Sequence, residues 1–493
     1  MELFLDSIGI IKNSTVKVDG LTVITGKNNS GKTTVGKVLY SLIRANSNKE
    51  DAFAKARNAY IHSKLYEISN VLSARRFYLD RVRRFEEATI DEPLTGFGRF
   101  IYILGSRDYR KFSSEKLISF LYDLNEGLQE LTIEEQWEFS ERDFNIVLRD
   151  KEYLAKFREQ FEEKKQVAIK ICYVTINTVE DNQAFDKFAV ERVKAFLNLA
   201  FNNQIKPVRN VNGAGKIKLT DSERTLMDIQ INGKVDFDFK APLPVVLAYN
   251  QSIFIDDPFV LDRIETGVRD NFYYNENDNA IYSVDVTSYR EYLIQLLSTR
   301  AADNFFENLE LQKRYNKLLE KINLIVPGEF QETKEGVFYV NEDVKLSVPN
   351  LATGSKLFFI IKLLLMNGNL NDETVLVLDE PESHLHPEWI NKFSEILVLL
   401  IKELKVRVLL TTHSSNLLLA LEWFSKYWGI TESTHFYLAH AEKEGSWASV
   451  LDCIDQNINK GYAHLSLPLI EMTIMQKAME ERSTDEHRNA KDI

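Results

Sequence analysis

The sequence predicts an α/β fold: a parallel sheet flanked by helices, carrying an antiparallel β-subdomain and a large helical insertion. Three observations carry this reading. Beyond residue 350 the hydrophobic pattern runs helix 355–366, strand 374–378, helix 388–404, strand 406–411, helix 414–426, an alternation that covers a parallel sheet with helices. Near the start, LTVIT at 21–25 is a buried-strand run that passes through a Gly-rich loop into TTVGKVLYSLI at 33–43, an amphipathic helix. From about 46 to 200 the chain is charged, aromatic-rich and helical in period, with few Gly or Pro breaks.

The remaining elements follow in order. KIKLT, LMDIQI, KVDFDF and PVVLAYN within 205–260 have the length and composition of short strands, and ING at 231–233 supplies a turn. Residues 287–325 return to a helical period, and GVFYV at 336–340 and VKLSV at 344–348 are strands. The tail, MEERSTDEHRNAKDI, is polar and expected to fray. The expected organisation is an N-lobe over 1–45, a helical insertion over 46–204 and a β-subdomain over 205–260. A helical arm over 261–327, a C-lobe over 328–430 and a mixed C-terminal region over 431–493 complete it.

A formal net charge of −12, from 61 basic and 73 acidic residues, argues against a protein whose whole surface coats nucleic acid. A local basic patch is compatible with it. ARRFYLDRVRRF at 74–85 gathers Arg75, Arg76, Arg81, Arg83 and Arg84 near aromatics, as such a patch or as a solvated helical face. The longest apolar run, LFFIIKLLLM at 357–366, is too short to span a bilayer and carries Lys362. The N-terminus lacks the basic-then-apolar layout of a signal peptide. Cys172 and Cys453 make no disulfide framework. A cytoplasmic protein without a membrane partner is expected.

GKNNSGKT at 26–33 has Gly, four residues, then Gly-Lys-Thr, placed between a strand and a helix. Gly26 and Gly31 let the backbone curl so that the N–H groups of Lys27, Asn28, Asn29, Ser30 and their neighbours face a phosphate. Lys32 adds a positive charge between β- and γ-phosphates, the Thr33 hydroxyl ligates Mg²⁺, and Thr34 continues the cradle. This is a nucleotide site, expected to take ATP with Mg²⁺. VLVLDE at 375–380 is an apolar strand ending in two carboxylates. In a phosphate-loop protein Asp379 holds the metal shell, while Glu380 orients and polarises the attacking water. TTHSS at 411–415 ends the next strand, where His413 reaches toward the γ-phosphate. The spacing of His384 and His386, with Pro387 following and no nearby cysteine, is poor for a zinc site.

The ordered set GKNNSGKT, LATGSK, VLVLDEPESHLHP and TTHSS resembles the ATP-binding-cassette ATPases, within them the soluble branch with RecF, SMC and OLD-type proteins. DEPESHLHP is the most discriminating piece, because its Leu-His-Pro ending is similar to the OLD-type branch. The resemblance covers about 1–45 and 330–426 well and 205–260 loosely. It implies a P-loop ABC-ATPase core forming head-to-tail homodimers that sandwich two ATP molecules. It nominates Gln251, in YNQSIFID at 249–256, as a Mg²⁺ or water contact; a surface glutamine is the plain alternative.

LATGSK lies where that family keeps Leu-Ser-x-Gly, so Ala352, Thr353, Gly354, Ser355 and Lys356 are the expected contacts to the partner's ATP. Ala352 lacks the family's hydroxyl, and Thr353, Ser355 or Lys356 is expected to replace it. Leu357, Ile360, Ile361, Leu364 and Leu365 follow the spacing of one buried helix face. After His413 no Asp-x-Asp pair occurs, so the nuclease half of OLD-type proteins is not expected here. The resemblance therefore extends to stand-alone ATPases of bacterial antiphage systems (Septu and PARIS), which act with a separate effector, often a nuclease. The alternative it implies is a RecF/SMC-like repair ATPase that clamps duplex DNA when ATP closes the dimer.

Overall fold

Strands β1 (Glu2–Asp6), β2 (Ser14–Lys17) and β3 (Leu21–Gly26) open the chain, and helix α1 (Lys32–Asn46) follows the glycine-rich loop. A computed structural model describes residues 1–74, 97–131, 151–206, 214–222, 224–232, 236–240, 247–264, 286–298, 309–333, 336–467 and 472–476. The described residues divide into two units. One holds those of Met1–Ser47, Ala189–Phe272 and Val286–Ile493, the other those of Asn48–Phe188.

The second unit is helical, with α2 (Lys49–Val71), α3 (Phe97–Ser106), α4 (Ser114–Glu130) and α5 (Lys151–Val179). Its core joins Ile61, Leu65 and Ile68 of α2 to Leu104, Leu117, Leu121, Leu124 and Phe161. Ser113 caps α4 by accepting from the Lys116 N–H, a contact that typically stabilises a helix by about 1 kcal/mol. Helix α6 (Ala184–Ala200) follows, and its Val193, Phe196 and Leu197 are buried in the core of the first unit.

In the first unit, β4 (Gly215–Asp221), β5 (Arg224–Asn232) and β6 (Asp236–Phe239) join the N-terminal strands in an antiparallel sheet of order β2-β1-β4-β5-β6. Burial alternates along β1 and β4, as expected of strands with one covered face. Then come β7 (Gln251–Ile255), α7 (Tyr289–Ser298) and α8 (Leu309–Ile325), and a three-stranded meander of β8 (Glu329–Thr333), β9 (Gly336–Asn341) and β10 (Val344–Ser347). Helix α9 (Thr353–Met366), β11 (Thr374–Asp379), α10 (Pro387–Leu404), β12 (Arg407–Thr412) and α11 (Ser415–Tyr427) alternate as the periodicity predicts. The hairpin β13 (Thr434–Ala441) and β14 (Ser449–Cys453) follows.

The main sheet has the order β14-β13-β3-β12-β11-β7, parallel from β13 to β7. Its inner strands are buried nearly throughout because both faces are covered. Leu376 and Leu378 of β11 join Val408 and Leu410 of β12 in the core built with α9 and α10. Val375, Val377 and Leu409 point to the other face, into the core with α1 and the antiparallel sheet. Gly36 lets α1 approach closely: a Cβ there would lie 2.7 Å from Val377 Cγ1 and 3.1 Å from Phe254 Cε2.

One expectation is corrected, and one strand was not expected. PVVLAYN is not a strand in its described part, 247–250; pairing begins at Gln251, because the apolar run that matches β11 is QSIFI. The 329–333 segment, EFQET, is a strand that its polar composition concealed.

Candidate active site

Parallel register brings four strand ends to one edge of the sheet. Thr25 of β3 pairs with Thr412 of β12, Asp379 of β11 pairs with Thr411, and Ile255 of β7 pairs with Leu378. The residues just beyond those ends are therefore neighbours: the phosphate loop, His413, Glu380 and Asp256.

Within the loop, Gly26 (φ 152°) and Gly31 (φ 85°) hold backbone angles that L side chains rarely adopt, and Asn29 is also left-handed at φ 60°. Lys27, Asn28 and Asn29 are exposed, whereas Lys32 is only 3% exposed. The Lys32 ammonium donates to the Gly26 and Lys27 carbonyls at 3.1 and 2.9 Å and lies 3.3 Å from Glu380 Oε1. Its charge is thus fixed at the mouth of the loop, where the helix N-terminus adds partial positive charge. Ser30 Oγ is buried in the loop without a hydrogen-bond partner, and Thr34 follows in the first turn of α1.

The Thr33 hydroxyl lies 2.9 and 2.8 Å from the two Asp379 oxygens, and the Thr411 hydroxyl donates to Asp379 Oδ1 at 2.5 Å. Burial pushes the Asp379 carboxyl above its ordinary range, against the Thr411 and Thr33 hydrogen bonds; the charges of Glu380 and Asp256 add to the rise. A cation at this position would relieve that cost. Among the described residues no group of three or more His, Cys, Asp and Glu could hold a metal. A hydroxyl and a carboxylate held together fit Mg²⁺, which keeps most of its shell for phosphate and water.

Glu380 occupies a left-handed conformation, φ 49°, with its N–H donating to the Thr411 carbonyl at 3.1 Å. Its Oε2 lies 3.3 Å from His413 Nδ1. Lys32, Glu380 and His413 therefore form one chain of contacts across three strand ends.

Pattern reading passed over two residues. Glu382 is buried, and its Oε1 accepts from the Thr412 hydroxyl at 2.5 Å and the His413 N–H at 3.0 Å, tying the loop after β11 to the end of β12. Asp256 follows β7 and accepts from Tyr289 at 2.9 Å and from Arg290 at 2.7 and 3.1 Å. Its signal was present, an apolar strand running into Asp-Asp in the manner of VLVLDE.

The structure does not bring Gln251 to this edge. It pairs with Thr374 at the start of β11, five residues before Asp379, so about 17 Å of extended strand separates it from the site. Its amide instead meets Asn369 and Thr374.

The signature segment is split. Ala352 is exposed and is the N-cap of α9 without a side-chain cap bond, and Thr353, Gly354 and Ser355 are half-buried. Gly354 packs where a Cβ would meet the His384 carbonyl oxygen at 3.0 Å and Trp389 at 3.3 Å. Lys356 is corrected as a donor to a partner's phosphate. It is 1% exposed, and its ammonium pairs with Asp262 at 2.6 Å and donates to the Pro349 carbonyl at 3.2 Å. His386 accepts from the Glu388 N–H as the cap of α10, and His384 packs edge-on to Phe259. The arginines of 75–84 lie outside the described residues.

The fold and this edge define a P-loop ATPase domain: glycine-rich loop, buried lysine, hydroxyl–carboxylate pair, and a second carboxylate beside a histidine. The chain belongs to the AAA_15 family of AAA ATPase domains, whose model matches residues 9–418. No curated protein matches the chain. Among solved structures it is similar to an SMC head domain from Thermotoga maritima, at 10% identity over 92% of this chain and 97% of that one, with a TM-score of 0.32. An SMC head bound to the C-terminal winged-helix domain of ScpA gives 8% identity over 92% and 96%, with a TM-score of 0.34. An SMC head with an extended coiled coil, bound to the C-terminal domain of ScpA and derived from Pyrococcus furiosus, gives 10% over 97% and 98%, with a TM-score of 0.30. At these scores the likenesses carry no argument about this chain. No described helix is long and apolar enough to cross a membrane.

Proposed function

We propose that the chain hydrolyses ATP with Mg²⁺ and uses the cycle as a switch that opens and closes a homodimer. The observation that carries this reading is the convergence of Lys32, Thr33, Asp379, Glu380 and His413 at one sheet edge. In the reaction Lys32 holds the β- and γ-phosphates, and Glu380 takes a proton from the attacking water. His413 donates to γ-phosphate oxygens as they gain charge. Thr33 and Asp379 would hold Mg²⁺, which when bound would neutralise phosphate charge. The half-buried hydroxyls at the start of α9, beside the exposed Ala352, support its use as a surface for a second copy's ATP, with Thr353 and Ser355 as the donors.

The DEPESHLHP segment supports a narrower assignment, to a bacterial antiphage system in which this ATPase controls a separate effector, a nuclease. A DNA-clamping repair ATPase is the competing assignment. Two measurements decide. Size-exclusion with light scattering should show a dimer with Mg·ATP that Lys32→Ala abolishes and Glu380→Gln prolongs; an ATP-independent monomer rejects the switch. Co-expression with the neighbouring gene's product should give a stable complex, and its absence, with salt-sensitive ATP-dependent DNA binding instead, rejects effector control.

A further inference from the structure

We infer that Trp447 is the platform on which the nucleotide's base stacks, a role that rests on the phosphate-loop reading above. The direction of the nucleotide comes from the strand order. Thr33 touches Asp379 and Lys32 touches Glu380, so a terminal phosphate held by these groups would lie on the β12–β11 side of β3. The nucleoside then leaves the loop on the opposite side, toward β13 and β14.

That side is built against the loop itself. Ala439 of β13 pairs with Gly26, and a Cβ on Gly26 would lie 2.4 Å from the Ala439 carbonyl oxygen. Two residues later β13 ends, and the 442–448 turn follows on the same edge of the sheet as the loop. The segment between β1 and β2 closes the other flank. Ile11 and Ile10 lie where a Cβ on Gly31 would come within 2.9 and 3.1 Å, while Ser449 exchanges backbone hydrogen bonds with Ile10 and Lys12 at 2.8 and 2.9 Å. Phosphate loop, β1–β2 segment and β13–β14 hairpin are thus pinned to one another.

Trp447 stands on this hairpin, two residues before Ser449, and is 44% exposed. The turn that carries it is well braced: Glu442 N–H donates to the Ala448 carbonyl at 2.8 Å, Ser446 N–H to the Lys443 carbonyl at 2.9 Å, and Ala448 N–H to Ser446 Oγ at 3.1 Å. The Lys12 ammonium lies over one face of the indole, 6.0 Å from its centroid, and 3.6 Å from Glu442, so the base would stack on the opposite face. A large apolar ring, half-exposed on a braced turn, offers a flat face at little entropic cost. Base–aromatic stacking of this kind changes affinity by roughly one order of magnitude.

Calorimetric titration of the full chain with ATP and with inorganic tripolyphosphate, both with Mg²⁺, tests this. Trp447→Ala should weaken ATP about tenfold and leave tripolyphosphate unchanged, and Trp447→Phe should restore most of the ATP affinity. Equal loss for both ligands, or no loss for either, overturns the platform. If wild-type protein binds neither ligand and Lys32→Ala changes nothing, the phosphate-loop reading fails first and the platform falls with it.

Discussion

Two helices of the ATPase unit open on nearly the same letters, SGKTT at 30–34 and ATGSK at 352–356, and their lysines have different fates. Both are buried, at 3% and 1% exposure. Lys32 is held by two loop carbonyls and faces Glu380, a carboxylate 31% exposed at the edge of the site. Lys356 is turned inward onto Asp262 and the ring of Phe259, 4.8 Å away, and is part of the packing beneath α9. The difference lies in what precedes each helix. A left-handed Gly31 after a parallel strand turns its lysine back over the loop, whereas the extended Ala352 starts a helix whose fourth residue points into the core. Two buried lysines near helix starts thus serve differently: Lys32 faces Glu380 at the sheet edge, and Lys356 faces Asp262 in the packing.

Substitutions can break this contrast. The largest effect is expected at Lys32: Lys32→Ala should lower ATP affinity by about a hundredfold or more, since charge-assisted phosphate contacts are lost, while Lys356→Met should leave the affinity of the isolated chain unchanged in the same titration. Lys356→Met should instead cost stability. Losing one member of a buried pair costs up to 3–5 kcal/mol; with Asp262 26% exposed, about 2–3 kcal/mol is expected from urea unfolding. Asp262→Asn added to it should recover more than half.

A smaller effect is expected at the missing hydroxyl. Ala352→Ser places a cap on α9 and should stabilise the chain by about 1 kcal/mol. If the absent serine prolongs the ATP-bound state, the same variant should also change the rate of dimer reopening; stabilisation without a change in reopening or ATPase rate separates the helix from the switch. The smallest effect is a slope. Burial holds the Glu382 carboxyl above its ordinary range, against hydrogen bonds from Thr412 and His413. The folded chain therefore binds that proton more tightly than the unfolded chain, and stability falls as pH rises from the ordinary carboxylate value through the raised one. Glu382→Gln keeps an acceptor for Thr412 and His413 and should flatten that fall in denaturation midpoints measured between about pH 4 and 8.

The sequence was most legible where one residue type has one physical use. The phosphate loop, the acid-ended strand and the histidine after β12 were readable because strand-end chemistry leaves local patterns, and α9, α10 and α11 were readable from apolar spacing. Gln251 was misplaced because a glutamine beside a strand does not say at which end it sits; the register with Thr374 decides that. Lys356 was misjudged because its partner, Asp262, lies 94 residues upstream in a short helical turn with no pattern of its own. Glu382 was missed because its role arises from hydrogen bonds with Thr412 and His413 at the end of another strand, whereas Asp256 carried a readable signal, an apolar strand running into Asp-Asp.

The most direct test of the account is single-turnover hydrolysis by Glu380→Gln with Mg·ATP. If Glu380 is the base, the variant binds ATP as tightly as wild type, and cleavage slows by about 10²–10⁴-fold. Cleavage at the wild-type rate would contradict the assignment and return the role to another group at this edge.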